Sequence, residues 1–157
     1  MSGIAQKLAG LGLSLPVRSA PSANYVGHVR VANLLMISGQ ICEQNGVPGP
    51  CGVLGANLSN AQGYAAAQLA ALGLLAQIDA ATEGDLSRVR RIVRLGVFIA
   101  STSDFKAHSE VADGASDLLV AVLGADIGKH ARTSVGVAAL PVGVAVEVDA
   151  LIELCDG

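Results

Sequence analysis

The sequence predicts a single α+β domain in which two helices pack on one face of a mixed β-sheet. Two observations support this fold class: apolar residues recur at helical spacing in two long segments, and shorter segments of alternating apolar residues lie around them. After a short N-terminal helix, the predicted order is strand, strand, helix, strand, helix, strand, strand, which implies two parallel crossovers through helices. The length of 157 residues suits one domain, 1–157, in which residues 1–22 form the helix and an extended arm.

The composition is that of a folded protein with little charge for its surface. It is 52% hydrophobic and 15% charged, with two Phe, two Tyr and no Trp. Because few charged residues remain to cover the exterior, we expect some apolar surface to form a subunit interface in a homo-oligomer. The net charge of −3 offers no general basic surface, so nucleic-acid binding is not expected.

The cysteines and the apolar segments indicate a cytoplasmic protein without a membrane span. Cys42, Cys51 and Cys155 form no CxxC pair and have no His at metal-ligand spacing, so neither a metal site nor a disulfide framework is predicted. The N-terminus lacks the features of a secretory signal. The most apolar helical segment, residues 63–76, is interrupted by Gln68 and is shorter than the roughly 18 residues that cross a bilayer.

The first half of the chain is assigned from spacing and from turn residues. A short amphipathic helix and an arm containing Ser and Pro come first. A β-hairpin, a loop rich in Gly and Pro, and a long helix capped by Ser59-Asn60 follow. The predicted ranges are residues 2–11 for the helix, 25–31 and 34–38 for the hairpin, 42–59 for the loop and 59 to about 80 for the long helix.

One long strand is predicted at residues 88–100, with arginines on one face. Arg88, Arg90 and Arg94 share one parity. A solvated strand face explains this cluster better than RNA binding, because no aromatic side chains lie between the arginines. The opposite parity consists of Val89, Val93, Leu95, Val97 and Ile99.

The last third of the chain is predicted to form a helix and two strands. Residues 102–104, Thr-Ser-Asp, offer capping side chains for a helix at 105–123. The two strands follow at 132–140 and 144–154, joined by a Pro-Val-Gly turn.

Arg132 and Glu147 are charged residues in these otherwise apolar final strands, which we expect to be partners. A charge in such surroundings is costly unless it is paired or used. Two interpretations follow: a structural Arg–carboxylate ion pair, which the pattern alone favours, or a site in which each residue has a ligand. A guanidinium can bind a substrate carboxylate through two hydrogen bonds, and a nearby carboxylate can orient a water or exchange protons with it.

Other candidate residues carry weaker signals. Ser38 has no His in a recognisable nucleophile motif, so a serine at a strand end is the simpler interpretation. His28, His108 and His130 have no spacing that implies a metal, and ordinary hydrogen-bonded or surface histidines are expected.

Three segments together resemble the RidA/YjgF family. They are Tyr25 with a strand that ends in Ser38-Gly39-Gln40-Ile41, then RIVRLGVFIASTSDF, and then ARTSVGVAALPVGVAVEVDALIE near the C-terminus. The resemblance spans about residues 25–154, and the last segment is its most specific part. It implies a chorismate-mutase-like fold, with homotrimers and ligand clefts between subunits.

The resemblance also implies an activity and a set of site residues. Active members of the family hydrolyse reactive enamines and imines, such as 2-aminoacrylate, to 2-keto acids and ammonia without a metal or an organic cofactor. The matching positions assign Arg132 to the substrate carboxylate, Glu147 to the attacking water, and Tyr25, Ser38 and Gly39 to the lining of the site.

The chain is a divergent member by this comparison. Ser134 stands where the family commonly has Cys and is also placed in the substrate site, Gly136 replaces a Glu, and Ala23-Asn24 precedes Tyr25 in place of Gly-Pro. Two alternatives accompany the deaminase hypothesis. One is a trimeric protein that binds a small carboxylate without turnover. The other is the older endoribonuclease assignment of the family, against which the acidic net charge and the missing stacking aromatics argue.

Overall fold

A five-stranded mixed sheet and two long helices form the body of the protein. The computed structural model describes residues 1–18, 20–21 and 23–155. The elements are α1 (Gly3–Gly10), β1 (His28–Val31), β2 (Leu34–Ile41), β3 (Glu43–Gln44), β4 (Val47–Pro48), α2 (Asn60–Ala81), β5 (Val89–Ala100), α3 (His108–Leu123), α4 (Ala125–Gly128), β6 (Ala131–Val137) and β7 (Val146–Leu154).

The strand order of the main sheet is β1-β2-β7-β5-β6. β5 and β6 are parallel, and the other neighbouring pairs are antiparallel. Because β7 is antiparallel to both β2 and β5, those two strands run in the same direction, and each of the two crossovers passes through a helix. The predicted α+β class, with a mixed sheet and two helices on one face, is confirmed.

The central strand β7 separates the two faces of the sheet. Its even-numbered residues, from Val146 to Leu154, are buried against the helices, and its odd-numbered residues are only half-buried on the opposite face. The opposite face, which we call the open face, carries exposed apolar side chains on both edges of the sheet. These are Val29, Val31, Leu34, Met36 and Val135.

Small residues let α2 approach its neighbours closely. The helix begins with a capping box in which Ser59 and Gln62 exchange side-chain and backbone hydrogen bonds. A Cβ on Gly114 of α3 would collide with the carbonyl of Tyr64 in α2. The buried alanines of α2 are Ala66, Ala67, Ala70, Ala71 and Ala76. By length and composition α2 could also cross a membrane, but 56% of its most apolar 18-residue segment is buried inside the fold.

The N-terminal helix is part of the core. Ser2 caps α1 by accepting a hydrogen bond from the backbone N–H of Ala5, and Ile4 and Leu8 are fully buried. Leu13 and Leu15 then pack against the same core at the start of the arm. The arm is therefore anchored at its beginning before it continues across the surface.

The structure corrects several predicted boundaries in the first half of the chain. β1 begins at His28 and not at 25, so Tyr25 precedes the strand. The predicted loop at 42–59 contains the β3–β4 hairpin, which turns at Asn45-Gly46 with positive φ at both residues. Asn-Gly is a strong signal for a two-residue hairpin, and it was overlooked among the surrounding glycines and prolines.

Two predictions for the second half are wrong in detail. α3 begins at His108 after Ala107, without a side-chain cap, so residues 102–104 do not cap it. The nearby Thr102 side chain instead holds the pKa of the Asp104 carboxyl below its ordinary value. The helix α4 was not predicted.

Irregularities in β5 explain why Val93 was wrongly predicted to face the core. The register of β5 against β7 shifts between Val89 and Arg91 and again between Ile92 and Arg94. These shifts turn Ile92, and not Val93, into the core. Arg88, Arg90 and Arg94 form ion pairs of 3.4–3.7 Å with Glu83, Glu153 and Asp149, which places counter-charges along this arginine cluster.

The close contact between α2 and α3 predicts the effect of adding one methyl group. Gly114→Ala should lower the free energy of unfolding by about 1–3 kcal/mol, because the added carbon meets backbone that cannot rotate away. Gly10→Ala is the matched control, since a Cβ there has nothing within 4 Å and its change should stay below about 1 kcal/mol. Urea denaturation of both variants measures this, and equal free energies would contradict the packing argument.

Candidate functional site

The residues predicted for the site fall into two groups within one chain. Tyr25, Gly39 and Glu147 line a cavity of about 320 Å³ that also borders the N-terminal arm, and we call it the arm cavity. Arg132 and Ser134 lie on the edge strand β6, outside this cavity. The predicted site is therefore divided.

The sheet topology prevents these groups from meeting around one ligand within a single chain. β5 lies between β6 and β7, so the expectation that Arg132 and Glu147 are on partner strands is wrong. Two inter-strand spacings, about 10 Å, separate their strands. Arg132 also faces the helices, whereas Glu147 projects on the open face.

Arg132 is held by side chains of α3. Its Nη1 donates to Asp113 Oδ1 at 2.8 Å and to Ser116 Oγ at 3.0 Å, and its Nη2 donates to Ser109 Oγ at 2.8 Å. Ser109, Asp113 and Ser116 are spaced by four and three residues, which aligns them on one face of the helix. The ion pair that sequence reasoning considered does exist, but its carboxylate belongs to Asp113 and not to Glu147.

This set of contacts leaves part of the guanidinium available. Of its five N–H donors, Nε–H has no partner among the described residues, and one Nη2 hydrogen has only a long contact of 3.5 Å with the carbonyl of Ser109. The Arg132 side chain is 20% exposed and that of Asp113 is 50% exposed. An anion can therefore still approach one part of Arg132 without breaking its shorter bonds to α3.

The space for the Glu147 carboxylate depends on a bulge in β2. The register of β2 against β7 shifts between Ile37 and Gln40, which adds one residue to β2 at this point. Gly39 lies in this bulge, and a Cβ there would collide with Glu147 Oε1. Glycine at position 39 therefore makes room for the carboxylate.

The surroundings of Glu147 favour its protonated form. Burial raises the pKa of the carboxyl above its ordinary value of 4.5, and the negative charge of Asp149, two residues away on the same face, raises it further. A carboxyl with a raised pKa exchanges protons closer to neutral pH than an exposed glutamate does.

Tyr25 and Ser38 have different relations to the arm cavity. Tyr25 lines it and is 54% exposed. Ser38 does not line it; its hydroxyl donates to the carbonyl of Val26 at 2.6 Å and so ties the bulge to the residues that follow Tyr25. Ser38 supports the shape of the cavity through this bond.

Sequence reasoning missed the contribution of the arm itself. Pro16, Val17, Arg18 and Pro21 line the arm cavity, and the backbone N–H of Val17 donates to Asn45 Oδ1 at 3.2 Å. Arg18 thus brings a cation to the lining of the cavity that contains Glu147. The Pro residues signalled an extended segment, but no local pattern shows which part of the fold such a segment crosses.

A second cavity, of about 450 Å³, lies at the start of α3. Ser101 Oγ and His108 Nε2 are 3.3 Å apart in its wall, and a Cβ on Gly136 would collide with Ser101 Oγ. Gly136 is on the same face of β6 as Arg132 and Ser134, so this cavity adjoins that group. Neither the contact between Ser101 and His108 nor this cavity was predicted from the sequence.

Comparison with known proteins identifies the family. The model of the family described as "YjgF/chorismate mutase-like, putative endoribonuclease" matches residues 5–154. The chain belongs to the YjgF family. Protein TCP17 of Trypanosoma cruzi is 49% identical over 152 residues, which cover 96% of this chain and 94% of that protein.

Solved structures show the same YjgF fold. Protein Atu1372 of Agrobacterium tumefaciens, of unknown function, is 41% identical with a TM-score of 0.90, covering 97% of this chain and 92% of that one. A Shewanella oneidensis protein with the family's endoribonuclease description is 34% identical with a TM-score of 0.91, covering 96% and 99%. Escherichia coli TdcF with bound serine is 20% identical with a TM-score of 0.62, covering 87% and 92%, and that likeness concerns the fold.

The raised pKa of Glu147 predicts a pH-dependent stability difference. The folded state binds this proton more tightly than the unfolded state, so ionisation of Glu147 destabilises the fold as pH rises above 4.5. Glu147→Gln should therefore be more stable than the natural protein at pH 7, and the difference should vanish below pH 4.5. Chemical denaturation across this range measures it.

The control for this measurement is Glu83→Gln. The Glu83 side chain is 88% exposed, so its substitution should give no comparable gain at pH 7. A Glu147→Gln protein that is less stable than the natural one at pH 7 would show that the carboxylate is stabilised by its surroundings, contrary to this account.

Proposed function

We propose that the protein hydrolyses reactive enamines and imines of the 2-aminoacrylate class to 2-keto acids and ammonia. The observation that carries the proposal is the Glu147 carboxyl, which has a raised pKa, lines the arm cavity and is given space by Gly39. Membership of the YjgF family supports the proposal, because the resemblance to that family implies this chemistry.

The reaction needs a group that moves protons. The enamine first takes a proton on carbon to give the protonated imine, and water then adds to the imine carbon and loses one proton to give a carbinolamine. Protonation of the nitrogen lets the C–N bond break, so that ammonia leaves, and the carbinol hydroxyl releases its proton as the carbonyl of the keto acid forms. Glu147 would accept a proton from water in the addition step and return it to the leaving nitrogen.

The substrate carboxylate would bind Arg132 of a neighbouring subunit. Within one subunit the two residues are on opposite faces of the sheet, so a site that uses both requires a second copy of the chain. The exposed apolar side chains of the open face provide surface for such an assembly. We propose a homotrimer with the site in the cleft between subunits.

One observation favours the second candidate function, which is binding of a small carboxylate without turnover. Asp113 pairs with Arg132 at 2.8 Å and offsets its positive charge, which weakens the attraction for a substrate anion. A binding protein can function with moderate affinity, whereas an efficient deaminase needs Arg132 to hold its substrate through the reaction. Ammonia release separates these two functions.

The activity test uses 2-aminoacrylate generated freshly by a dehydratase. The natural protein should accelerate ammonia release above the spontaneous rate, and Glu147→Gln should lower kcat by about 10²–10⁴-fold. Glu153→Gln, on the same face of β7 and paired with Arg90, is the matched control and should keep its activity. If the natural protein leaves the spontaneous rate unchanged while it binds pyruvate, the deaminase proposal fails and the binding function stands.

The division of the site between subunits predicts complementation. Arg132→Ala and Glu147→Gln proteins should each be inactive, and mixed trimers formed by refolding them together should regain about a quarter of the natural activity, because one ordered interface in four combines an intact Arg132 with an intact Glu147. Mixing without refolding is the control. Mixed trimers without activity would exclude a site shared between subunits.

A further inference from the structure

A chain of hydrogen bonds continues from Arg132 to a partly buried histidine, His130. Ser116 Oγ accepts from Arg132 Nη1 at 3.0 Å and also lies 2.9 Å from His130 Nε2. The other ring nitrogen, His130 Nδ1, lies 2.6 Å from the carbonyl oxygen of Gly128. Ser116 thus connects the guanidinium of Arg132 to the imidazole of a residue two positions earlier in the chain.

The chemistry of the groups at the far end fixes the direction of every bond. A carbonyl oxygen can only accept, so His130 Nδ1 must carry a hydrogen and donate to Gly128. Burial lowers the pKa of the imidazole, which favours the neutral ring, and Nε2 is then an acceptor. The Ser116 hydroxyl therefore donates to His130, and its lone pairs face Arg132.

The acceptor that begins this chain is held in place by packing. Gly128 ends α4 and is buried, and a Cβ there would lie 2.7 Å from the carbonyl of Leu119 in α3. α4 and α3 are therefore in close contact at this point, and the Gly128 carbonyl has little freedom to move. Rigid supporting contacts of this kind determine how precisely a site residue is oriented.

We propose that His130 is a positioning residue for Arg132: acting through Ser116, it presents an acceptor to Nη1 and fixes the guanidinium so that its remaining donors face the ligand. The ligand in this statement, a substrate carboxylate, rests on the proposed function. The orientation of Arg132 does not rest on the proposed function, because the hydrogen bonds from Gly128 to Arg132 lie within one chain.

Two substitutions of His130 separate the roles of its ring nitrogens. Gln can place an acceptor close to the position of Nε2, whereas Asn can place a donor close to the position of Nδ1 but cannot reach Ser116. His130→Asn and Ser116→Ala should weaken pyruvate binding by about tenfold, and His130→Gln should retain most of the affinity. A merely structural role for the bond to Gly128 predicts the reverse order for Asn and Gln.

The experiment combines calorimetric titration of pyruvate with NMR of the Arg132 guanidinium, assigned with Arg132→Lys. In the natural protein the Nη hydrogens should give separate signals because the group is held, and rotation should average them in His130→Asn and Ser116→Ala. Thermal unfolding of each variant confirms that it is folded, and His130→Gln keeps the test open if His130→Asn does not fold.

The outcomes distinguish the positioning role from the proposed function. Arg132 signals that are unchanged in Ser116→Ala, or equal behaviour of His130→Asn and His130→Gln, would overturn the positioning role. If the NMR signals respond as expected but the natural protein binds no pyruvate, His130 does orient Arg132, and the assignment of a carboxylate ligand to this residue is wrong.

Discussion

The position of β7 in the middle of the sheet is the constraint on which the rest of the structure depends. The strands on both sides of β7 form hydrogen bonds with its backbone, and its even-numbered side chains are buried against the helices. A strand alternates its faces, so Glu147 must project on the open face. Arg132 projects on the helix side of β6 and is held there by α3. These facts together divide the candidate site between two faces of the sheet in one chain.

Glycines allow acidic side chains to lie on the open face in the middle of the sheet. A Cβ on Gly39 would collide with the Glu147 carboxylate, and a Cβ on Gly96 would collide with that of Asp149. The two carboxylates differ in their surroundings, since Asp149 pairs with Arg94 at 3.4 Å whereas Glu147 is partly buried beside the negative charge of Asp149. The surroundings of Glu147 raise the pKa of its carboxyl, so this group exchanges protons closer to neutral pH than an exposed glutamate does.

The sequence predicted the helices and strands better than it predicted which of them lie side by side. Helical spacing located α2, and the even-odd alternation of β7 was visible because local periodicity reports which face of an element is buried. The insertion of β5 between β6 and β7 depends on long-range pairing, so the adjacency of Arg132 and Glu147 could not be read from their positions in consecutive strands. The bulges in β5 and β2 are likewise set by pairing with β7.

The same distinction applies to the candidate site. The types of residue and the contribution of Gly39 followed from the family resemblance, because its motif spans those positions. The partners of Arg132 did not, since Ser109, Asp113 and Ser116 look like ordinary polar residues of a helix until α3 is placed beside β6. Arg18 and the arm were missed for a similar reason: an extended segment contains no signal for the surface it covers.

The central claim is that one ligand contacts Arg132 of one subunit and Glu147 of another. A crystal structure of the assembled protein grown with pyruvate tests this most directly. The account predicts a pyruvate carboxylate on Arg132 of one subunit, with its carbonyl carbon facing Glu147 beside Gly39 of the neighbouring subunit. Pyruvate bound in the arm cavity of a single subunit, with Arg132 remote from any second copy of the chain, would contradict it.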